Sequence, residues 1–255
     1  MNAELIDIHA HLTYSPLAEQ LELVLARAKA CGVSTVITIG TDPDDSRAAV
    51  ALADKIPSIS AAIGIHPHAA DKYSNVDQIK PLLGHPKIIG IGETGLDYHY
   101  QLADRVNQQR LFHSHLELAH ETQLPVIVHC REAFDDTLDI LQSVKSGLRG
   151  VFHCFSGSQE QARQVLDLGW FISFSGTVTF KNAQDLRRTA KFIGVDHILI
   201  ETDCPFLSPE PVRKNRTNEP ANVLYTAKLL AELFNLSLEE FSRFVRQNAV
   251  KLFGL

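Results

Sequence analysis

The feature that most constrains the fold of this chain is an alternation. Short β-branched runs recur from near one end to the other, each separated from the next by a longer amphipathic segment. Eight runs read as strands: Leu5 to Ile8, Ser34 to Ile39, Ser60 to Ile65, Ile88 to Ile91, Val126 to Val128, Gly150 to Phe152, Phe171 to Phe174 and His197 to Ile200. Runs that are apolar at consecutive positions, such as Val126-Ile127-Val128 and Ile198-Leu199-Ile200, predict strands buried on both faces, with helices outside a parallel sheet. Two of the intervening helices are explicit. Leu17 to Ala30 carries Leu17, Leu21, Val24 and Leu25 at helical spacing and stops at Cys31-Gly32. Ala103 to Thr122 carries Val106, Leu111, Phe112, Leu116 and Ala119, and Leu124-Pro125 follows it.

Eight alternations in 255 residues predict an α/β fold, a closed (β/α)8 TIM barrel, in a single domain over residues 1–255. An open doubly wound sheet is disfavoured, because no GxGxxG loop follows the first strand. Beyond the last strand, Pro205 to Pro220 reads as a long ordered loop. Helices are expected over about Pro220 to Phe234 and Ser237 to Val250, the second capped at Leu236-Ser237.

With 45% hydrophobic residues the chain can build a full core. Its formal charge of -6 does not support a broad nucleic-acid-binding surface, so any phosphate recognition must be local. No apolar stretch is long enough to cross a bilayer and no signal peptide is recognisable, which predicts a cytoplasmic protein without a membrane partner. Cys31, Cys130, Cys154 and Cys204 show no CxxC spacing and fit thiols in a reducing compartment.

In barrels of this class the active site lies at the C-terminal ends of the strands, so the residues that end each strand carry the functional argument. Strand one ends on His9 and His11, which alternate with Ala10 and so share a face. The third strand ends on His66, the fourth on Glu93, the fifth on His129, the sixth on His153, and the eighth on Glu201 and Asp203. One histidine alone would more often be a satisfied polar residue than a ligand. Imidazoles and carboxylates recurring at strand ends are instead a donor set for divalent metals, Zn²⁺, Mn²⁺ or Mg²⁺. The set is too large for one four-coordinate ion and contains a carboxylate suited to bridging, so two metals are expected. His9, His11 and Asp203 are expected to hold the first with Glu93 as bridge, and His129 and His153 the second, with a metal-activated water as nucleophile.

The segments Asp7-Ile8-His9-Ala10-His11-Leu12, Gly64-Ile65-His66-Pro67-His68, Gly90 to Asp97 (GIGETGLD), Leu124 to His129 (LPVIVH), His153-Cys154-Phe155-Ser156-Gly157 and Glu201-Thr202-Asp203-Cys204-Pro205 together resemble the TatD family of metal-dependent deoxyribonucleases. They occur in family order and span nearly the whole chain. The resemblance implies a TIM-barrel hydrolase that cleaves DNA phosphodiester bonds, with exonuclease activity. It also implies the ligand set already drawn from the strand ends, with the Glu93 position contacting both metals. His66 and Glu201 fall on family positions near the site, where substrate handling or proton transfer is implied. One departure is local: Arg213-Lys214-Asn215-Arg216-Thr217 precedes Asn218-Glu219-Pro220, with Thr217 separating the last cation from the asparagine.

Arg131 lies two positions beyond His129, so a continuing strand would project it to the same side, where it would clamp a phosphate; the alternative is a salt bridge to Glu132 or Asp135. Arg213 and Arg216, with Lys214, are the other candidates for a local positive field. Tyr98 or Tyr100 is placed to stack on a nucleobase, the alternative being that both merely cap the loop. Cys130, Cys154 and Cys204 each follow a proposed ligand, and strand alternation turns them away from the metal. His113, His115 and His120 are expected at the surface or core edge of their helix, and Trp170 to Phe174 in the core. The expected function is a two-metal deoxyribonuclease acting on single-stranded DNA or duplex ends. The rivals are a metal-dependent amidohydrolase or lactonase acting on a small molecule, and a non-catalytic protein binding an anion.

Overall fold

The computed structural model describes residues 3–144 and 147–255. Among these residues eight strands lie in one parallel sheet in the order of the chain, each followed by an α-helix except the third, whose link to the fourth holds two 3-10 turns, and the eighth, which two α-helices follow; this is a (β/α)8 TIM-barrel fold. None of the described helices is long and apolar enough to cross a membrane. The chain divides into two compact units, one formed by the chain up to Thr38 together with Cys154–Leu255, the other by Ile39–His153.

In the first unit, β1 (Leu5–Ala10) pairs with β2 (Val33–Ile39), and β7 (Phe171–Phe174) pairs with β8 (Ile198–Ile200). Strands β1, β7 and β8 are buried at every position, the polar Asp7, His9 and Ser173 included. Trp170 lies in this core, 3% exposed. The first helix starts as a 3-10 turn over Ala18–Gln20 and becomes α1 at Leu21–Ala30. Pro220–Asn222 likewise forms a 3-10 turn before α7 (Val223–Leu233), with proline at its first position, where no backbone N–H is needed. The last helix, α8 (Leu238–Phe253), is capped by Ser237, as its sequence predicts, and the structure adds a reciprocal capping box with Glu240. Between β8 and α7 the chain runs through the loop that begins at Pro205.

In the second unit, β3 (Ile59–Ile63), β4 (Ile88–Asp97), β5 (Val126–Arg131) and β6 (Gly150–Phe152) pair in sequence. Two of these strands outrun the sequence reading. Extended structure in β4 continues through Gly92 and Gly95 to Asp97, and β5 continues past its apolar run to Arg131. Glycines and polar residues ended both runs in the sequence, whereas in the fold pairing with the neighbouring strand sustains them. Glu93 therefore lies inside β4, not at its end.

The register of β4 on β5 slips at this point: Ile91 faces Val126 but Thr94 faces Val128, so three residues of β4 oppose two of β5. Such a bulge re-aims the side chains beyond it. Past the bulge Gly95 faces His129. A Cβ at Gly95, where φ is +137°, would lie 2.0 Å from the His129 carbonyl oxygen, so only glycine allows this approach. Helix α3 (Arg105–Thr122) packs on β4 behind an Asp104 N-cap that accepts the Val106 N–H at 2.8 Å.

Candidate metal centre

In the second unit the bulge of β4 delivers Glu93, 3% exposed, to three imidazoles. Its Oε1 lies 2.7 Å from His129 Nδ1, 2.8 Å from His153 Nε2 and 3.5 Å from His66 Nε2. His129 stands on β5, and His153, one residue beyond β6, is aligned with it by an N–H bond to the Val128 carbonyl at 3.0 Å. The facing nitrogens of these two rings are 3.3 Å apart. Ligand atoms this close on one carboxylate oxygen are a donor set that a divalent cation can occupy.

The far nitrogen of His129, Nε2, lies 3.0 Å from Oδ2 of Asp97. Burial pushes the Asp97 carboxyl up, but the His129 hydrogen bond and charge, the Tyr100 N–H and His68 overcome it and hold Asp97 below the usual carboxylate range. His129 moves the opposite way. Burial would lower it, yet its bonds to Asp97 and Glu93 raise it. A histidine whose second nitrogen is held by a carboxylate has its tautomer and ring orientation fixed for ligation.

His66 is different. Its Nδ1 accepts the His68 N–H at 3.1 Å, so in the neutral ring the proton sits on Nε2, the nitrogen that faces Glu93. Burial pulls its pKa down to about 4 against the pull of Glu93, so the ring is neutral at pH 7. In that tautomer His66 offers an Nε2–H donor to the site, and the neutral ring is also the form that ligates a metal, its ligand atom lying within 4.8 Å of those of Glu93 and His129.

The first unit holds the other imidazole pair. His9, fully buried on β1, and His11, just beyond it and 4% exposed, put their Nε2 atoms 3.7 and 3.4 Å from Asp203 Oδ1. Main-chain bonds fix this arrangement. The Asp203 N–H reaches the His9 carbonyl at 2.9 Å, and the His11 N–H reaches the Cys204 carbonyl at 2.8 Å. Asp7 secures the same junction by accepting the Thr202 hydroxyl at 2.6 Å and the Thr202 N–H at 2.9 Å. Complete burial nevertheless raises its carboxyl to about 7. Glu201, fully buried, accepts the Ser173 hydroxyl at 2.5 Å.

The remaining candidates separate. Arg131 lies with its guanidinium 4.6 Å from the Tyr100 ring centroid, while Glu132 pairs with His99 at 2.6 Å. Arg213 stands 3.8 Å over the Phe180 ring and 3.9 Å from Glu210; Arg216 and Lys214 are exposed. Cys130 accepts the Thr137 hydroxyl from α4 (Phe134–Ser143) at 3.5 Å, and Cys204 is buried, in line with their expected turn away from the site. His115 corrects the sequence reading. It is fully buried, not at the surface or core edge, with Nδ1 donating to the Leu111 carbonyl and Nε2 accepting the Ile65 N–H.

Sequence reasoning gave no role to Asp97, His68, Asp7 or Gln108. Gln108, 1% exposed on α3, accepts the Asp97 N–H at 2.8 Å and donates to the Asp97 carbonyl at 3.0 Å. The available signal was spacing: Glu93 and Asp97 are four apart and share a face if β4 is continued.

A (β/α)8 fold carrying buried imidazole and carboxylate clusters on and just beyond its strands defines a metal-dependent hydrolase, and buried nitrogen and oxygen donors of this kind suit a divalent ion. The sequence matches the TatD related DNase family over residues 6–254, and the chain belongs to that family. It is 40% identical to the uncharacterized metal-dependent hydrolase YabD of Bacillus subtilis, covering 98% of this chain and 99% of that one. The crystal structure of YJJV, a TatD homolog from Escherichia coli K12, covers 100% of both chains with TM-score 0.93 at 30% identity. A TatD family hydrolase from Entamoeba histolytica covers 99% of both with TM-score 0.89 at 26% identity.

Proposed function

We propose that this chain is a two-metal deoxyribonuclease that removes nucleotides from DNA ends, single-stranded or duplex, as one catalytic domain in the cytoplasm. The observation that carries the reading is the buried Glu93 oxygen with His129 Nδ1 and His153 Nε2 within 2.8 Å of it. Family membership supports DNA as the substrate.

In this reading His129 and His153 would hold one divalent ion and His9, His11 and Asp203 another, with Glu93 as the shared carboxylate. Bound Mg²⁺, Mn²⁺ or Zn²⁺ supplies an acidified water and a positive field for phosphoryl oxygens. The protein's own groups do the rest. Asp97 keeps His129 in the tautomer that presents Nδ1 to the metal. His66 offers an Nε2–H donor beside Glu93, suited to a phosphate oxygen or to proton delivery. Glu201 and Asp203 are the acidic groups beyond β8 that position the attacking water. Arg131 binds a phosphate beside the centre, and Arg213 and Arg216 supply cations along the strand's exit.

The test is metal-dependent release of mononucleotides from end-labelled DNA by purified protein. Release in Mg²⁺, Mn²⁺ or Zn²⁺, lost in chelator, is the expected result. Turnover of lactones or amides with none of DNA would overturn the reading in favour of an amidohydrolase or lactonase.

A further inference from the structure

We infer that Tyr100 and Arg131 form a subsite for an unpaired nucleotide, the aromatic ring taking the base and the guanidinium the adjoining phosphate. The inference rests on the nuclease reading for its substrate class. The sequence nominates two tyrosines for stacking, and the structure chooses between them. Tyr98 is 7% exposed and its hydroxyl donates to Asp136 at 2.6 Å. That tyrosine is spent on internal structure. Tyr100 is 54% exposed, a costly state for a large aromatic side chain in water.

The ring is held in place although it is exposed. The Tyr100 N–H donates to Asp97 Oδ1 at 3.2 Å, and the His99 N–H donates to the same oxygen at 3.0 Å. The other oxygen of that carboxylate orients His129. One buried group thus fixes both a candidate ligand and the backbone that carries the ring. Imidazole rings of His68 and His99 meet Tyr100 at right angles, with centroids 5.7 and 4.8 Å away.

Arg131 joins the ring through β5, facing Asp97 in register and lying two residues beyond His129. Its guanidinium is stacked rather than paired: among the described residues no carboxylate lies within 4.0 Å of it, and neighbouring Glu132 is engaged by His99. A planar cation with its hydrogen-bonding edge unused, laid against an exposed ring, matches the two halves of a nucleotide. Single-strand sites elsewhere combine the same elements, a base on an aromatic face and a cation on the backbone.

The test measures binding separately from cleavage. A fluorescein-labelled, hydrolysis-resistant phosphorothioate DNA strand of about ten nucleotides is titrated with metal-loaded protein and followed by anisotropy. Tyr100→Ala should weaken binding roughly 5- to 150-fold, the range for loss of one base stack. Tyr100→Phe should restore it, since the ring and not the hydroxyl carries the contact. Arg131→Lys, which keeps the charge and loses the planar stack, should weaken binding as well. A strand of abasic sites should bind wild type and Tyr100→Ala alike. Equal affinity of wild type and Tyr100→Ala for the intact strand, or no binding by wild type, overturns the subsite. Cleavage of an ordinary strand is scored in parallel. Tyr100-dependent binding without cleavage removes the nuclease reading and leaves the subsite, whereas cleavage with binding indifferent to Tyr100 removes the subsite alone.

Discussion

Asp97 Oδ2 and His129 Nε2 lie 3.0 Å apart at the buried end of β4, and the opposite nitrogen of the same ring faces Glu93. His68 Nε2 approaches the same Asp97 oxygen at 3.0 Å, so one carboxylate organises two imidazoles. Asp97→Asn keeps the shape and removes the charge. Its metal affinity, measured by calorimetric titration, should fall about 10- to 100-fold while the far-ultraviolet circular dichroism is retained. Wild-type affinity in that variant would show that Asp97 does not orient His129.

Glu93 is buried at 3% exposure, so its removal is best made isosterically. Glu93→Gln should reduce DNA turnover at least about a hundredfold, more than loss of a supporting partner costs. It should also abolish stabilisation by metal. At a hundred times its dissociation constant, metal should raise wild-type unfolding stability by about 3 kcal/mol, and chelation should reverse the gain. A Glu93→Gln protein that keeps both activity and metal stabilisation would defeat the bridging assignment.

The glycine at position 95 is dictated by His129. Its φ is +137°, and a Cβ would strike the His129 carbonyl oxygen. Gly95→Ala should therefore destabilise the fold by about 2–4 kcal/mol in urea denaturation, through strain and overpacking. An unchanged midpoint would mean that β4 and β5 can separate here without cost.

His115 makes stability depend on pH. Burial lowers its pKa to about 4 from the usual 6.5, and its Nε2 must stay unprotonated to accept the Ile65 N–H. Between those two values the unfolded chain binds the extra proton. The contribution is thus complete above pH 6.5 and is lost as pH falls toward 4. From pH 7.5 to 4.5 the wild type should lose about 2–3 kcal/mol that His115→Gln does not lose. Parallel stability curves for the two proteins would refute this.

Strand alternation and the residues just beyond each apolar run were legible in the sequence, because a parallel sheet buried on both faces favours apolar residues along its strands and a polar residue stands out where the run stops. His9, His11, His129, His153, Glu93 and Asp203 all came from that rule, and so did the (β/α)8 fold. The rule could not see past Ile91. Gly92 and Gly95 look like strand breakers, and only pairing with β5 shows that the chain remains extended to Asp97. Tertiary structure alone made Asp97 the partner of His129 and buried Tyr98 while exposing Tyr100. It also put the proton of His66 on the nitrogen facing Glu93, and drew His115 into the core. The reason is physical: local pattern determines which residues a strand carries and where its apolar run ends. Register, tautomer and exposure depend on what a neighbouring segment, far away in sequence, places against them.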